Sequence, residues 1–257
     1  MKRVDKMKKF LASLLALAVL QNGGITASAE DYDNKKIAWG LGSTTDEYGR
    51  PTDAVTAQEK YGELWGLFVG DAEKKRLWLT FDEGYENGCT EKILDTLKEK
   101  NVKGVFFVTL DYAKSEPELI RRMIDEGHTV GNHTCTHPSL AECSPEEVRA
   151  ELSGLHSYIK DNFNYDMYVM RPPRGEFSEQ VLGIAKELGY TTVLWSFAYQ
   201  DWLTNSQPDP DTAFDKITSK THNGAVYLLH AVSETNTAIL GRLIDHWQDN
   251  GYVITPM

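Results

Sequence analysis

Leu77-Trp78-Leu79-Thr80-Phe81-Asp82-Glu83-Gly84 is an apolar run that stops at two adjacent carboxylates and a glycine. Aliphatic and aromatic side chains over so short a length, closed by glycine, fit a strand covered on both faces. Such a strand has no use for paired acids, so Asp82 and Glu83 mark the place where the sheet ends and a site can open. Two acids at a loop start would be ordinary by themselves. Four further strand ends along the chain also finish in reactive side chains, and that repetition argues for a site.

On the carboxyl side of this strand the chain is regular. Helical apolar spacing over 90–100, with Ile93, Leu94 and Leu97 on one face, leads to the strand Val105–Val108. Ser115 and Pro117 announce a helix that Gly127 closes, and His128-Thr129-Val130 follows as a strand. Ser144-Pro145-Glu146-Glu147 is a capping box that predicts a helix to about Asn162, before a strand over Met167–Met170. Ser178 caps a helix ended by Gly189, and Tyr190–Trp195 is a strand. A helix from Asp211 or Thr212 to about Lys220, the strand Val226–Leu229, the helix Asn236–Asn250 and a strand over 252–254 complete the series. Seven strands alternating with six helices predict an α/β fold, a distorted (β/α) barrel of about seven parallel strands. Residues 30–75, rich in Gly, Asp, Thr and scattered aromatics, read as an irregular extension wrapped on a main domain over 76–257.

On this frame the reactive side chains fall past the carboxyl ends of strands: Asp82 and Glu83, His133 and His137, Arg171, Asp201 with Trp202, and His230. In a barrel those ends share one face, where active sites are built. His133 and His137, four residues apart on a turn before Pro138, can hold one divalent ion, and with Glu83 they would make an open three-donor site. A chance H-x-x-x-H more often means two unrelated histidines. Arg171, in the rigid turn Arg171-Pro172-Pro173-Arg174-Gly175, is placed to keep Asp82 ionised as a base. His230, at the end of an apolar run where a core histidine is the default, reads as a proton donor oriented by Asp201.

The first 29 residues are different. Five basic residues precede the apolar run Phe10–Leu20, and Ala27-Ser28-Ala29 supplies a small-residue cleavage site, the pattern of a secretory signal too short to span a bilayer. The full chain carries a formal charge of −11; removing 29 residues with five basic and one acidic side chain leaves 228 residues at −15. Nucleic acid is therefore an unsuitable partner, and a neutral part of a glycan a better one than a polyanion. A secreted protein of the cell envelope, with no membrane span after cleavage and acting as a monomer, is expected. Cys89, Cys135 and Cys143 are too few for a disulfide framework, and neither a zinc thiolate nor a nucleophile is indicated at Cys135.

Together these residues resemble the polysaccharide deacetylases of carbohydrate esterase family 4. Thr80-Phe81-Asp82-Glu83-Gly84 is similar to the family's T-F-D-D-G, His133-Thr134-Cys135-Thr136-His137 to its H-[ST]-x-x-H, and Arg171-Pro172-Pro173-Arg174-Gly175 to its R-P-P-Y-G. Asp201-Trp202 resembles its D-W pair and Leu228-Leu229-His230 its final L-x-H. Phe81-Asp82-Glu83-Gly84-Tyr85-Glu86-Asn87-Gly88 and the arginine at 174 resemble more narrowly the delta-lactam-biosynthetic de-N-acetylases, which act on N-acetylmuramic acid of spore-cortex peptidoglycan.

The resemblance implies Asp82 as general base, His230 as general acid tuned by Asp201, and Arg171 holding Asp82. It implies one divalent ion, zinc, on His133, His137 and Glu83, with the glutamate's additional methylene putting that ion in question. Trp202, Arg174 and Tyr85 are expected to contact peptidoglycan glycan strands. The alternatives are deacetylation of chitin oligomers or acetylated xylan, and a wall-glycan-binding barrel without catalysis.

Overall fold

The computed structural model describes residues 28–257; the expected signal segment, but for its last two residues, lies outside the described residues. In chain order the strands are β1 (Ile37–Ala38), β2 (Gly66–Leu67), β3 (Arg76–Glu83), β4 (Val105–Val108), β5 (Thr129–Asn132), β6 (Val169–Met170), β7 (Glu176–Phe177), β8 (Thr191–Val193), β9 (Ala225–His230) and β10 (Val253–Ile254). The helices are α1 (Thr52–Tyr61), α2 (Thr90–Glu99), α3 (Leu110–Ser115), α4 (Pro117–Asp125), α5 (Pro145–Phe163), α6 (Glu179–Glu187), α7 (Pro210–Thr218) and α8 (Glu234–Asp249).

All seven expected strands form, and they are parallel. β10, β3, β4, β5, β6, β8 and β2 lie in that order, and β9 runs along β3 from Leu77 opposite Ala225 to Asp82 opposite His230. The sheet curls until the chain after β8 meets β9, where the Ser196 N–H donates to Val226 O and the Leu228 N–H to Phe197 O, each at 2.9 Å. Curling brings the strand ends into one mouth.

The extension does more than wrap. Its β2 joins the sheet, with the Leu194 N–H donating to Leu67 O at 2.8 Å, and its β1 pairs antiparallel with β7. Two-residue strands carry no readable period, which is why sequence alone missed them. Farther back, Ala29 is buried against α6, its N–H donating to Glu187 Oε1 at 2.8 Å.

Strand alternation divides the side chains between two cores. Leu77, Leu79, Phe81, Phe106 and Val108 face the helices, whereas Trp78, Val105, Phe107 and Val226 face the barrel interior. Ile93, Leu94 and Leu97 of α2 and Ile239, Leu243, Ile244 and Trp247 of α8 fill the outer layer. Each such side chain contributes about 1.5–3 kcal/mol of hydrophobic stabilisation when fully covered. The Ser144 capping box on α5 is present, with Oγ accepting from the Glu147 N–H and the Glu147 carboxylate from the Ser144 N–H.

Candidate active site

The last inward side chains of β3 and β9 are Asp82 and His230, which the strand register sets opposite one another. Arg171, directly after β6, is wholly buried and rests over Phe107, 4.2 Å from its ring centroid. Its Nε donates to Val193 O at 3.0 Å and Nη2 to Leu194 O at 3.2 Å, which leaves Nη1 aimed at Asp82 Oδ1 at 2.7 Å. Two backbone carbonyls thus fix the guanidinium plane before the carboxylate meets it. Burial alone would raise the Asp82 pKa, but the charges of Arg171, His133 and His230 outweigh it and hold the carboxyl below its ordinary value of 3.8.

Asp201 performs the converse task. Its Oδ1 lies 2.7 Å from His230 Nδ1, and its Oδ2 accepts from the His230 N–H at 2.9 Å and from Asn236 Nδ2 at 2.6 Å. Desolvation would lower the His230 pKa, yet the bond to Asp201 and its charge raise it above 6.5. Since Nδ1 serves Asp201, Nε2 is the nitrogen left for the cleft. A carboxyl held below its ordinary pKa and an imidazole held above its own therefore occupy the same strand-end mouth.

His133 and His137 lie on the loop after β5, their ring centroids 4.9 Å apart. The turn is a tight one, with Thr134 at φ 71° and His137 at φ 59°, and it is held by the Thr134 N–H to Asn132 Oδ1 and the His137 N–H to Thr134 Oγ1. Pro138 keeps this segment from becoming helical, as expected. His133 Nδ1 meets Arg171 O at 2.8 Å; a carbonyl can only accept, so this nitrogen carries the proton, and Nε2 faces Asp82 Oδ2 at 3.6 Å. Burial pulls the His133 pKa down to about 4, so its imidazole is neutral near pH 7.

The expected third donor is elsewhere. Glu83 follows Asp82 on the strand and therefore projects to the opposite face, where it is fully buried and accepts from Thr90 Oγ1 at 3.4 Å. Desolvation and the neighbouring Glu86 push its pKa well above 4.5, the direction that favours the neutral acid. Among the described residues no group of three His, Cys, Asp or Glu side chains is arranged to hold a metal. His133, with its second nitrogen bound to a carbonyl, has the chemistry of a metal ligand, but a three-donor site with Glu83 does not fit this fold. Glu83→Gln, which preserves shape, is expected to leave kcat/KM within about threefold; Glu83→Ala, which takes the acceptor from a buried Thr90 hydroxyl that keeps only its bond from Tyr112, should lose about 1–3 kcal/mol of stability in urea unfolding. A Gln variant that is folded but inactive would restore the ligand role.

A cleft of about 950 Å³ opens above these groups, lined by Asp82, His133, His137 and His230 together with the expected contacts Tyr85, Arg174 and Trp202. Arg171 and Asp201 stand buried behind the groups they orient. Asn236 was not foreseen. It sits in the first turn of α8, capped by Ser233, and its amide, bonded on its other side to the Tyr199 hydroxyl, fixes Asp201. Its six-residue distance from His230 was the one available signal, and only α8 folding back makes that spacing meaningful. All three cysteines are free thiols, Cys135 at the cleft wall.

The chain belongs to the polysaccharide deacetylases, whose family model matches residues 69–193. The fold agrees, since the structure of Bacillus subtilis PdaA, a family 4 carbohydrate esterase, superposes with a TM-score of 0.82 at 38% identity, covering 87% of this chain and 96% of that one. In sequence the chain is 41% identical to the peptidoglycan-N-acetylmuramic acid deacetylase PdaA of B. subtilis, over 95% of this chain and 92% of that protein. A family 4 carbohydrate esterase from Bacillus anthracis matches with a TM-score of 0.72 at 37% identity, covering 88% and 95%. Deacetylases of this family are metalloenzymes, so a divalent ion is compatible with membership, although Glu83 does not supply a donor here. No helix among the described residues is long and apolar enough to cross a membrane.

Proposed function

We propose that the protein hydrolyses the N-acetyl group of N-acetylmuramic acid in peptidoglycan glycan strands, outside the cytoplasmic membrane, on the route to the muramic delta-lactam of spore cortex. The observation that carries this reading is the placement of Asp82 and His230 at paired strand ends of one cleft, the first bonded to Arg171 and the second to Asp201. The likeness to B. subtilis PdaA supports the choice of sugar. Arg174 adds to it, as a cleft-lining cation suited to the lactyl carboxylate that distinguishes this sugar from N-acetylglucosamine.

In this mechanism Asp82 takes a proton from water as the hydroxide adds to the amide carbonyl carbon. The backbone N–H of Arg174, in a left-handed turn at φ 59°, meets the oxyanion of the tetrahedral intermediate. His230 Nε2–H then protonates the nitrogen, the C–N bond breaks, and acetate and a free amino sugar leave. Tyr85 and Trp202 flank the sugar. No step passes through zinc, because of its three expected donors only His133 and His137 converge at the cleft, Glu83 projecting away from it.

The test is mass analysis of muropeptides before and after incubation with the protein. Loss of one acetyl group from muramic acid is the expected result; loss from N-acetylglucosamine or from chitin oligomers would move the substrate, and glycan retention without acetate release would favour a binding barrel. Asp201→Asn provides a second check. Because His230 acts protonated and its pKa is raised by Asp201, activity should fall as pH rises through that value. Without the carboxylate the pKa drops, so the alkaline limb of kcat/KM against pH is expected to move toward acid. An unmoved limb would detach Asp201 from His230.

A further inference from the structure

The extension supplies part of the cleft. Trp39, Gly40 and Leu41 line it together with the catalytic groups, although they belong to a segment that precedes β3 by more than thirty residues. They are held there firmly. The Trp39 N–H donates to Gly175 O at 2.9 Å and its indole Nε1 to Trp195 O at 3.0 Å, while its ring meets Phe68 edge-on at 4.8 Å. Gly175, at φ 67°, is the residue that admits this seating, since a Cβ there would lie 3.2 Å from Trp39 Cβ and 2.5 Å from the Trp195 ring.

We infer that Trp39–Leu41 form a binding subsite for a second sugar of the glycan chain, next to the sugar that is deacetylated. The inference rests on the deacetylase reading and extends it from one sugar to a chain. Three observations lead to it. At about 950 Å³ the cleft lies at the top of the roughly 300–1,000 Å³ that enclose drug-sized ligands, more than one amino sugar fills. An indole and a leucine beside it offer an apolar surface to the C–H face of a pyranose ring, the indole N–H being already satisfied within the protein. The ledge is also anchored through Gly175, the residue after Arg174, so a sugar resting on it is continuous with the reacting centre and little order has to be gained on binding.

Gly40 makes the test mild. Nothing lies within 4 Å of the position its Cβ would take, so Gly40→Phe places a ring in open space without disturbing the core. Leu41→Ala removes surface instead of adding it. Acetate release would be measured on long glycan strands and on N-acetylmuramic acid alone, which has no second sugar. For both variants the ratio of kcat/KM on strands to kcat/KM on the single sugar is expected to fall about tenfold, mainly through KM on the strands. An unchanged ratio in both folded variants would overturn the subsite. If the wild-type protein releases acetate from neither substrate, the deacetylase reading itself falls.

Discussion

Asp82→Asn is expected to lower kcat/KM for acetate release by about a thousandfold, within the 10²- to 10⁴-fold range that general base assistance supplies. Asparagine keeps the shape and still accepts from Arg171, so the loss isolates proton abstraction from placement. A stability loss should accompany it. The Arg171 guanidinium is wholly buried and Asp82 is its only carboxylate partner among the described residues, so removing the charge leaves a cation uncompensated, which costs about 3–5 kcal/mol in such settings. Acetate assays at a temperature where circular dichroism shows the variant folded separate the two effects. A folded variant with kcat/KM within tenfold of wild type would remove Asp82 from the chemistry.

Arg171→Lys is expected to show the second-largest effect, although it preserves charge. One ammonium cannot replace three fixed contacts to Val193 O, Leu194 O and Asp82, so at least one buried carbonyl loses its donor. Stability should fall by about 2–4 kcal/mol in urea unfolding and kcat/KM by about a hundredfold, because the carboxylate is no longer aimed. The pH dependence has a definite sign. The folded Asp82 pKa is depressed, so its stabilisation is complete above the unfolded value of about 4 and vanishes as pH falls through the lower, folded value. With lysine that depression shrinks, and the acid limb of the rate profile moves upward. Wild-type stability and an unmoved limb would show that the arginine merely fills space.

Much of this was legible in the chain. The seven strands and six main helices announce themselves because their hydrophobic period is long enough to read, and the strand-end rule gathers Asp82, His133, Arg171 and His230 from positions nearly 150 residues apart. Glu83 shows where motif reading stops. Resemblance to T-F-D-D-G makes the second acid a ligand, but β3 runs on through residue 83, and the pleat sends neighbouring side chains to opposite faces. Strand length, which depends on pairing with β4, decides between the two, and sequence fixes it poorly. β1, β2 and the Trp39 ledge were invisible, and Asn236 nearly so, for a different reason. Each depends on a contact between distant segments with no local pattern to betray it.

The docking of Ala29 on α6 limits what either position can hold. Gly183 is small where the helix meets it, since a Cβ there would approach Ala29 Cβ to 3.1 Å, and the alanine is almost entirely covered. A larger side chain at 29 or 183 would part the two segments, and with them the bond from the Ala29 N–H to Glu187 that moors the start of the described chain.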